Sequence, residues 1–471
     1  MSLREPIPVV PVDEVGSVHF IAIGGAGMSG IAELFHERGV VVSGSDQADS
    51  PALRQLASEG ITTYIGHAAA QVGSATTVVV SSAIRESNPE LVEARARGLR
   101  IWHRSAALAS LMLGSRGVSI AGTHGKTTTT GMTAVILTAA GADPSYVIGA
   151  PLASTGKSAH LGHGEAFIVE ADESDGTFLQ YPTEIAVVTN VEADHLDNWV
   201  TPRAYHEGFV RFATQPGVRA LVVNIDDLGA AGLAADVAAS GARVVTVGES
   251  PDADVSLSDL DFEGTTAGAT LTYAGESGRL ELRVPGRHNL ANAAAAYAIG
   301  RLLGLGHQAL LDGASTFTGT HRRFQLVADV AGVRIFDDYA HHPTEITATL
   351  TAGRRAAGGG RLVACFQPHL YSRTRDFASE FGEALALADL VVLTDIYPAR
   401  EDPIEGVTGA LVMDATVAAG AQAVYVPRKA QLPSALAQLV EPGDLVMTLG
   451  AGDVTLVGPM LAQLLGHVAH E

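Results

Sequence analysis

Cysteine is almost missing from this chain of 471 residues: Cys365 stands alone. A single thiol excludes an intramolecular disulfide and any zinc site built from several cysteines, and its simplest role is that of a small buried apolar side chain. Basic residues are also scarce. Thirty Lys and Arg face 51 Asp and Glu, for a formal net charge of −21. That balance excludes a nucleic-acid-binding surface, because phosphate backbones call for clustered cations. Any polyanionic ligand must be met by local groups instead. No apolar run reaches the ~20 residues of a membrane span. The start, Met1-Ser2-Leu3-Arg4-Glu5-Pro6, lacks the apolar stretch and cleavage site of a secretory signal. A cytoplasmic chain without membrane insertion is expected, and the sequence sets no oligomeric state.

What is abundant is small and apolar. Hydrophobic residues make up 47% of the chain while aromatics make up 5%, the composition of parallel sheets covered by Ala-rich helices. The length is too great for one ordinary domain, and strand-like runs restart twice after turn-rich stretches. Three α/β domains are therefore expected, over 1–114, 115–319 and 320–471. The first opens with the strand Val18 to Ile23 and includes Val78-Val79-Val80. The second opens with Gly117 to Ala121 and a helical pattern from Thr128 to Ala140. It continues through strands Phe167 to Val169 and Ile185 to Val188, a small antiparallel side sheet within Asp252 to Val284, and a helix from Asn289 to Leu303. The third has strands at Val333 to Phe336, Leu362 to Phe366, Leu390 to Leu393 and Leu445 to Leu449, separated by helical patterns.

The sharpest local signal is Gly122-Thr123-His124-Gly125-Lys126-Thr127-Thr128 between a strand and a helix. Glycines let backbone N–H groups face phosphate oxygens, the helix start adds positive dipole, Lys126 neutralises β/γ charge and Thr127 offers Mg²⁺ a hydroxyl. Its front is shorter than the usual G-x-x-x-x-G-K-[ST], since Ala121 stands where the first Gly would be. This loop alone leaves ATP and GTP open. Downstream, Glu170-Ala171-Asp172-Glu173-Ser174-Asp175 and Asn190 to Asp197 each follow a strand, at the edge where open α/β sheets bind ligands. Glu170 and His195 are the candidate metal ligands there, with Asp172, Glu173, Asp175 and Asp194 behind them. Alone, either segment would read as a solvated acidic loop or a structural histidine.

A second nucleotide-like signal lies at the front. Gly25-Ala26-Gly27-Met28-Ser29-Gly30 follows the first strand and opens a helix, and Asp46 comes at the end of the next strand, Val40-Val41-Val42. The pattern lets a pyrophosphate approach a helix N-terminus, which suits NAD and UDP-sugars equally. Two diphosphate sites in one chain suggest a nucleotide-linked substrate activated by a triphosphate.

Taken in order, Gly122 to Thr128, Glu170, His195, Gly286-Arg287-His288-Asn289-Leu290-Ala291-Asn292, His321-Arg322-Arg323-Phe324 and Asp337-Asp338-Tyr339-Ala340-His341-His342-Pro343-Thr344-Glu345 resemble the Mur ligase family across nearly the full chain. Gly24 to Ala32 and Gln367-Pro368-His369-Leu370-Tyr371-Ser372-Arg373-Thr374-Arg375 look like its L-alanine-adding branch. The resemblance implies a Rossmann-like domain for the UDP group, a central ATPase domain and a C-terminal Rossmann-like domain that closes on ATP. It also implies a reaction: ATP phosphorylates the lactyl carboxylate of UDP-N-acetylmuramate, and L-alanine attacks the acyl phosphate to give an amide, ADP and phosphate, a step of peptidoglycan precursor synthesis. By the same resemblance Thr127, Glu170 and His195 contact Mg²⁺, Asn289 contacts adenine, Arg323 binds phosphate and Asp338 meets ATP.

Ser81 and Ser82 are candidates for the UDP-sugar site. Tyr339, His341, His369, Arg373 and Arg375 offer donors for a substrate carboxylate, which an arginine can bind bidentately; His341 and Arg373 are the catalytic candidates among them. No lysine stands between Lys157 and Lys429, so the carbamylated lysine of other family members has no counterpart, as in the L-alanine-adding branch. Three alternatives compete: a ligase of the same family that recycles murein tripeptides, an NAD-dependent oxidoreductase on the front fingerprint, and a non-catalytic UDP-sugar sensor.

Overall fold

The computed structural model describes residues 3–399 and 401–468. Its strands form three sheets. The first contains β1 (Val18–Ile21), β2 (Val42–Asp46), β3 (Thr62–Ile65), β4 (Thr77–Val80) and β5 (Arg100–His103) in the order β3-β2-β1-β4-β5, all parallel. The strand order reverses between β1 and β4, the point where a doubly wound sheet opens a crevice at its carboxyl ends. Gly24 to Gly30 leave β1 there and Ser81-Ser82 leave β4.

β2 begins later than the Val40 to Val42 run suggests. Val41 is 72% exposed, and the strand proper is Val-Ser-Gly-Ser-Asp. Its polar residues are tolerated because neighbours satisfy them: Ser43 Oγ lies 2.9 Å from His19 Nδ1, and Ser45 Oγ donates to Glu90 Oε2 at 2.6 Å. Gly44 is required by space, since a Cβ there would stand 2.6 Å from Ile23 Cδ1.

The middle sheet contains β6 (Arg116–Ala121), β7 (Ser145–Val147), β8 (Ala159–His160), β9 (Ala166–Glu170), β10 (Ile185–Val188), β11 (Ala220–Asn224), β12 (Arg243–Gly248), β13 (Val255–Glu263), β14 (Thr266–Tyr273) and β15 (Glu276–Leu282). Its order is β15-β14-β13-β12-β11-β10-β6-β9-β7-β8. The side strands expected between Asp252 and Val284 join this sheet through a short parallel pairing of β12 with β13, Val247 with Val255 and Gly248 with Ser256. β10, β6 and β9 are parallel neighbours, which puts the segments after them side by side at one edge.

The third sheet contains β16 (Gln325–Val330), β17 (Val333–Asp338), β18 (Leu362–Phe366), β19 (Leu390–Leu393), β20 (Gln422–Tyr425) and β21 (Leu445–Leu449), ordered β16-β17-β21-β18-β19-β20. All pairs are parallel except the β16–β17 hairpin. β18 shows why such strands are continuous apolar runs. Leu362, Ala364 and Phe366 pack with Ile346, Leu350 and Phe381 on one face. Val363 and Cys365 pack with Val392, Leu436 and Leu461 on the other. Cys365 is a buried core residue, and burial pushes its thiol up to about 12.

The chain divides into two compact units. One comprises Met1–Ser258, Leu271–Gly278 and Ala291–Thr316; the other comprises Asp259–Thr270, Arg279–Leu290 and Phe317–Glu471. In the first unit the aromatic nest of Phe178, Trp199, Tyr205, Phe209 and Phe212, with Phe178 stacked on Phe212 at 5.0 Å, backs the acidic loop after β9. Among the described residues no helix is long and apolar enough to cross a membrane.

Candidate active site

β6 runs into a loop whose shape two glycines permit. Gly122 has φ 132° and Gly125 φ 81°, values that L side chains avoid. A Cβ on Gly122 would also lie 2.1 Å from Thr189 Oγ1. Residues after β10 hold the loop from the side. Thr189 Oγ1 and Asn190 Nδ2 donate to His124 O at 2.6 and 3.0 Å, and Asn190 Oδ1 accepts from His124 N at 2.8 Å. Thr123 Oγ1 donates to Glu192 O at 2.8 Å. The helix Lys126–Ala139 starts from this loop with Gly125 as its cap. Thr128 is buried in its first turn.

Lys126 Nζ donates to Gly122 O at 2.7 Å and Thr123 O at 3.0 Å, and lies 2.8 Å from Glu173 Oε2. Burial works to lower the pKa of Lys126, but Glu173, Asp172 and Glu170 together outweigh it, so the ammonium is held charged. Burial pushes Glu173 up to about 7, with Lys126 opposing and Asp172 adding to the rise. The buried pair is thus a cation held charged against a carboxyl that burial makes harder to ionise.

Thr127 Oγ1 donates to Glu170 Oε1 at 3.0 Å, and Gly149 N donates to Glu170 Oε2 at 2.8 Å. A side chain at 149 would displace that carboxylate, since a Cβ there falls 2.5 Å from Oε2. A hydroxyl and a carboxylate side by side, next to a charged lysine at a helix N-terminus, are the hard oxygen donors that suit Mg²⁺ with a phosphate. His195 sits differently from Glu170. Its Nε2 lies 3.6 Å from Asp194 Oδ2 and 3.8 Å from Glu173 Oε1, beside the carboxyl that faces Lys126. Glu173 O also accepts from Trp199 Nε1 at 2.9 Å.

At the front loop, Asp46 Oδ2 accepts from Gly24 N at 3.0 Å, tying the end of β2 to the glycine loop. Gly25 caps the helix Ala26–Glu37, and Met28 is buried beneath it. The Ala26 side chain lies outside the described residues. Gly30 faces β8, where a Cβ would come within 2.8 Å of Ala159 Cβ, and Ser29 N donates to Gly25 O at 3.0 Å. Ser82 Oγ lies 3.2 Å from His103 Nε2 and donates to Asp175 Oδ2 at 3.1 Å. Burial, aided by Arg4 and Arg104, lowers His103 to about 4, so its ring is neutral. Ser81 O accepts from Ile84 N at 3.2 Å in the same turn.

Two participants carried no motif of their own. Asn190 clamps the phosphate loop and could have been suspected only from its place after a strand. Arg104 pairs with Asp172 at 3.2 Å and gives no sequence signal.

The second unit, taken by itself, gathers most of the remaining candidates. Asp338 Oδ2 accepts from Phe324 N at 2.7 Å and Oδ1 from Ala340 N at 2.8 Å. Burial pushes its carboxyl up to about 6 against the pull of Arg323. Two guanidinium groups approach the Tyr339 ring, with Arg322 Cζ 4.9 Å and Arg323 Cζ 5.0 Å from its centre. His341 packs edge-on to Tyr339 and His369, and its Nδ1 is 3.1 Å from Glu345 Oε2. His369 stacks on Tyr397 at 5.8 Å. Arg373 is buried, whereas Arg375 is exposed and pairs with Asp376 at 2.7 Å. Asn289 Nδ2 donates to Pro285 O at 2.6 Å.

Three family models cover most of the chain: Mur ligase family, catalytic domain, over residues 17–116; Mur ligase middle domain, over 120–300; and Mur ligase, glutamate ligase domain, over 322–452. The chain is 68% identical to the UDP-N-acetylmuramate–L-alanine ligase of Cutibacterium acnes, over 99% of both chains. It is 52% identical to that of Kineococcus radiotolerans, over 96% of this chain and 97% of the other. Among solved structures it is similar to the UDP-N-acetylmuramate-alanine ligase of Thermotoga maritima, with TM-score 0.81 and 26% identity over 97% of this chain and 100% of that one. A murein peptide ligase from Psychrobacter arcticus shares the fold, with TM-score 0.70 and 24% identity over 96% and 99% of the two chains. With a phosphate loop, an acidic loop and a glycine loop in place on matching domains, the chain belongs to the Mur ligase family.

Proposed function

We propose that this chain joins L-alanine to the lactyl carboxylate of UDP-N-acetylmuramate, with conversion of ATP to ADP and phosphate. The observation that carries the reading is the arrangement at the carboxyl ends of the neighbouring strands β10, β6 and β9, in a chain 68% identical over 99% of its length to a ligase of that name. There Lys126, Thr127 and Glu170 stand within hydrogen-bond reach of one loop or of each other.

A carboxylate is a poor electrophile; transfer of the γ-phosphoryl group to it makes one oxygen a leaving group, and the amine of L-alanine then displaces phosphate. No protein nucleophile is needed. Lys126 neutralises charge on the phosphates, and the backbone N–H groups of Gly122 to Thr128 orient them in line with the acceptor. Glu170, fixed by Gly149 N, and the Thr127 hydroxyl would hold Mg²⁺, with His195 supporting the same region through Glu173. Held there, Mg²⁺ would supply positive charge to offset that on the phosphate oxygens. Asn289 toward adenine, Arg323 toward phosphate and Asp338 toward ATP belong to the same reading. So do Tyr339, His341, His369, Arg373 and Arg375 toward the substrate carboxylates, the partition at 114 and 319, and a cytoplasmic location.

The test is phosphate release from ATP with Mg²⁺, UDP-N-acetylmuramate and L-alanine, leaving out one component at a time, with the amide identified by mass. Release should need every component, should stop with a chelator and return with Mg²⁺, and should fall on the order of 10²-fold or more in Lys126→Ala. Turnover with a murein tripeptide but not L-alanine would move the chain to the recycling branch, and NADH formation would reopen its class.

A further inference from the structure

Arg104 opens the helix Arg104–Met112 at the end of β5, and this helix packs on Ala26–Glu37. The packing lays its guanidinium across the glycine loop: a Cβ added at Gly27 would stand 2.2 Å from Nη1 and 3.4 Å from Cζ. Gly27 is in the first turn of a helix that carries no acidic residue there and, among the described residues, no side-chain cap. From the other side Nη2 donates to Asp172 Oδ2 at 3.2 Å. Asp172 belongs to the loop that also carries Glu170 and Glu173, and it acts electrostatically on Lys126. Both side chains of the pair are 36% exposed, so solvent reaches the contact and screens it in part.

We propose that Arg104 binds the diphosphate of the UDP-sugar and gives up Asp172 for a diphosphate oxygen when that substrate arrives. The proposal rests on the reading above, in which the glycine loop takes UDP-N-acetylmuramate. Its chemistry answers a need set by composition. A chain with a net charge of −21 must bring a local cation to a diphosphate, and a guanidinium fork binds two oxygens at once. Exchange keeps Arg104 paired before and after binding. It also changes the field at Lys126, because the Asp172 carboxylate, still bonded to Ser174 N at 3.0 Å, loses its cation as the diphosphate gains one. Occupancy of the UDP-sugar loop is thereby felt at the phosphate loop, and the coupling runs both ways.

Calorimetric titration of UDP-N-acetylmuramate and of UDP into the full chain, Arg104→Gln, Arg104→Lys and Asp172→Asn tests this, with a thermal melt of each variant as the control for the fold and an ATP analogue titrated into the native chain. Arg104→Gln should weaken both UDP compounds on the order of tenfold or more. Arg104→Lys should fall between it and the native chain, because it keeps the charge without the fork. Asp172→Asn should tighten both a few-fold, because it removes the competing carboxylate. Opposite signs are what an exchange requires. A structural strut would lose affinity from either side, so Arg104→Gln binding like the native chain, or both partners' variants weakening together, overturns the proposal. Should the native chain bind neither UDP compound while it binds the ATP analogue, the UDP-sugar reading itself falls, and this assignment with it.

Discussion

Consecutive side chains on a strand leave opposite faces, and this separates the adjacent Asp337 and Asp338 at the end of β17. Asp337 accepts from Thr448 Oγ1 at 2.6 Å, Thr455 Oγ1 at 2.9 Å and Arg322 Nε at 3.2 Å, a buried network that joins β17 to β21. The Asp338 carboxylate instead accepts from the backbone amides of Phe324 and Ala340 and feels the charge of Arg323. Asp337→Asn should therefore cost about 2–3 kcal/mol of stability, read as a lower midpoint in denaturant. Glu33 tests a different residue-scale effect. Burial pushes it up to about 7 from 4.5, with Glu59 and Glu37 adding and Lys157 opposing. Below pH 4.5 both folded and unfolded chains carry the proton, so the site costs nothing. As pH rises through 7 the unfolded chain ionises freely while the fold resists, and stability is lost. The melting temperature of Glu33→Gln should match the native chain near pH 4.5 and exceed it progressively toward pH 8, by roughly 1 kcal/mol at most once solvent screening is allowed for. A gap that is constant with pH would remove the titration from the explanation.

At the scale of elements, local strain marks the segment after β10. His195 has φ 53° and Val200 φ 67°, flanking the short helix Leu196–Trp199. A β-branched residue with positive φ is strained, and Val200 is 77% exposed, so glycine there loses little packing. Val200→Gly should raise stability by about 0.5–1 kcal/mol after the extra entropy of an unfolded glycine is counted; a fall would mean that the side chain contributes more than its exposure implies. Legibility also divides at this scale. β10, β18, β19 and β21 match the apolar runs residue for residue, because burial on both faces selects unbroken apolar strands. β16 and β20 were not readable: they pair on one side only, and their residues are mostly half-buried or exposed. β2 was misplaced because its serines are satisfied by His19 and Glu90, partners far away in sequence.

For the molecule as a whole, two compact units with separate cores predict unfolding that departs from a single two-state transition. Scanning calorimetry should resolve two components. Asp337→Asn should lower the one belonging to the second unit. UDP-N-acetylmuramate at about a hundred times its Kd should stabilise the other by about 2.7 kcal/mol. One transition moved equally by both would mean that the units unfold together.

The sequence by itself determined the α/β class, the phosphate loop, the glycine loop and the order of family motifs, because apolar periodicity and glycine-bearing turns are written locally. Tertiary structure alone decided which groups touch. It paired Thr127 with Glu170 and brought His195 Nε2 within 3.8 Å of Glu173 Oε1. It held His124 with Asn190, and brought Arg104 over Gly27 and onto Asp172. Such contacts depend on strand order and on helix packing between residues 22 to 77 positions apart, and no local pattern encodes that.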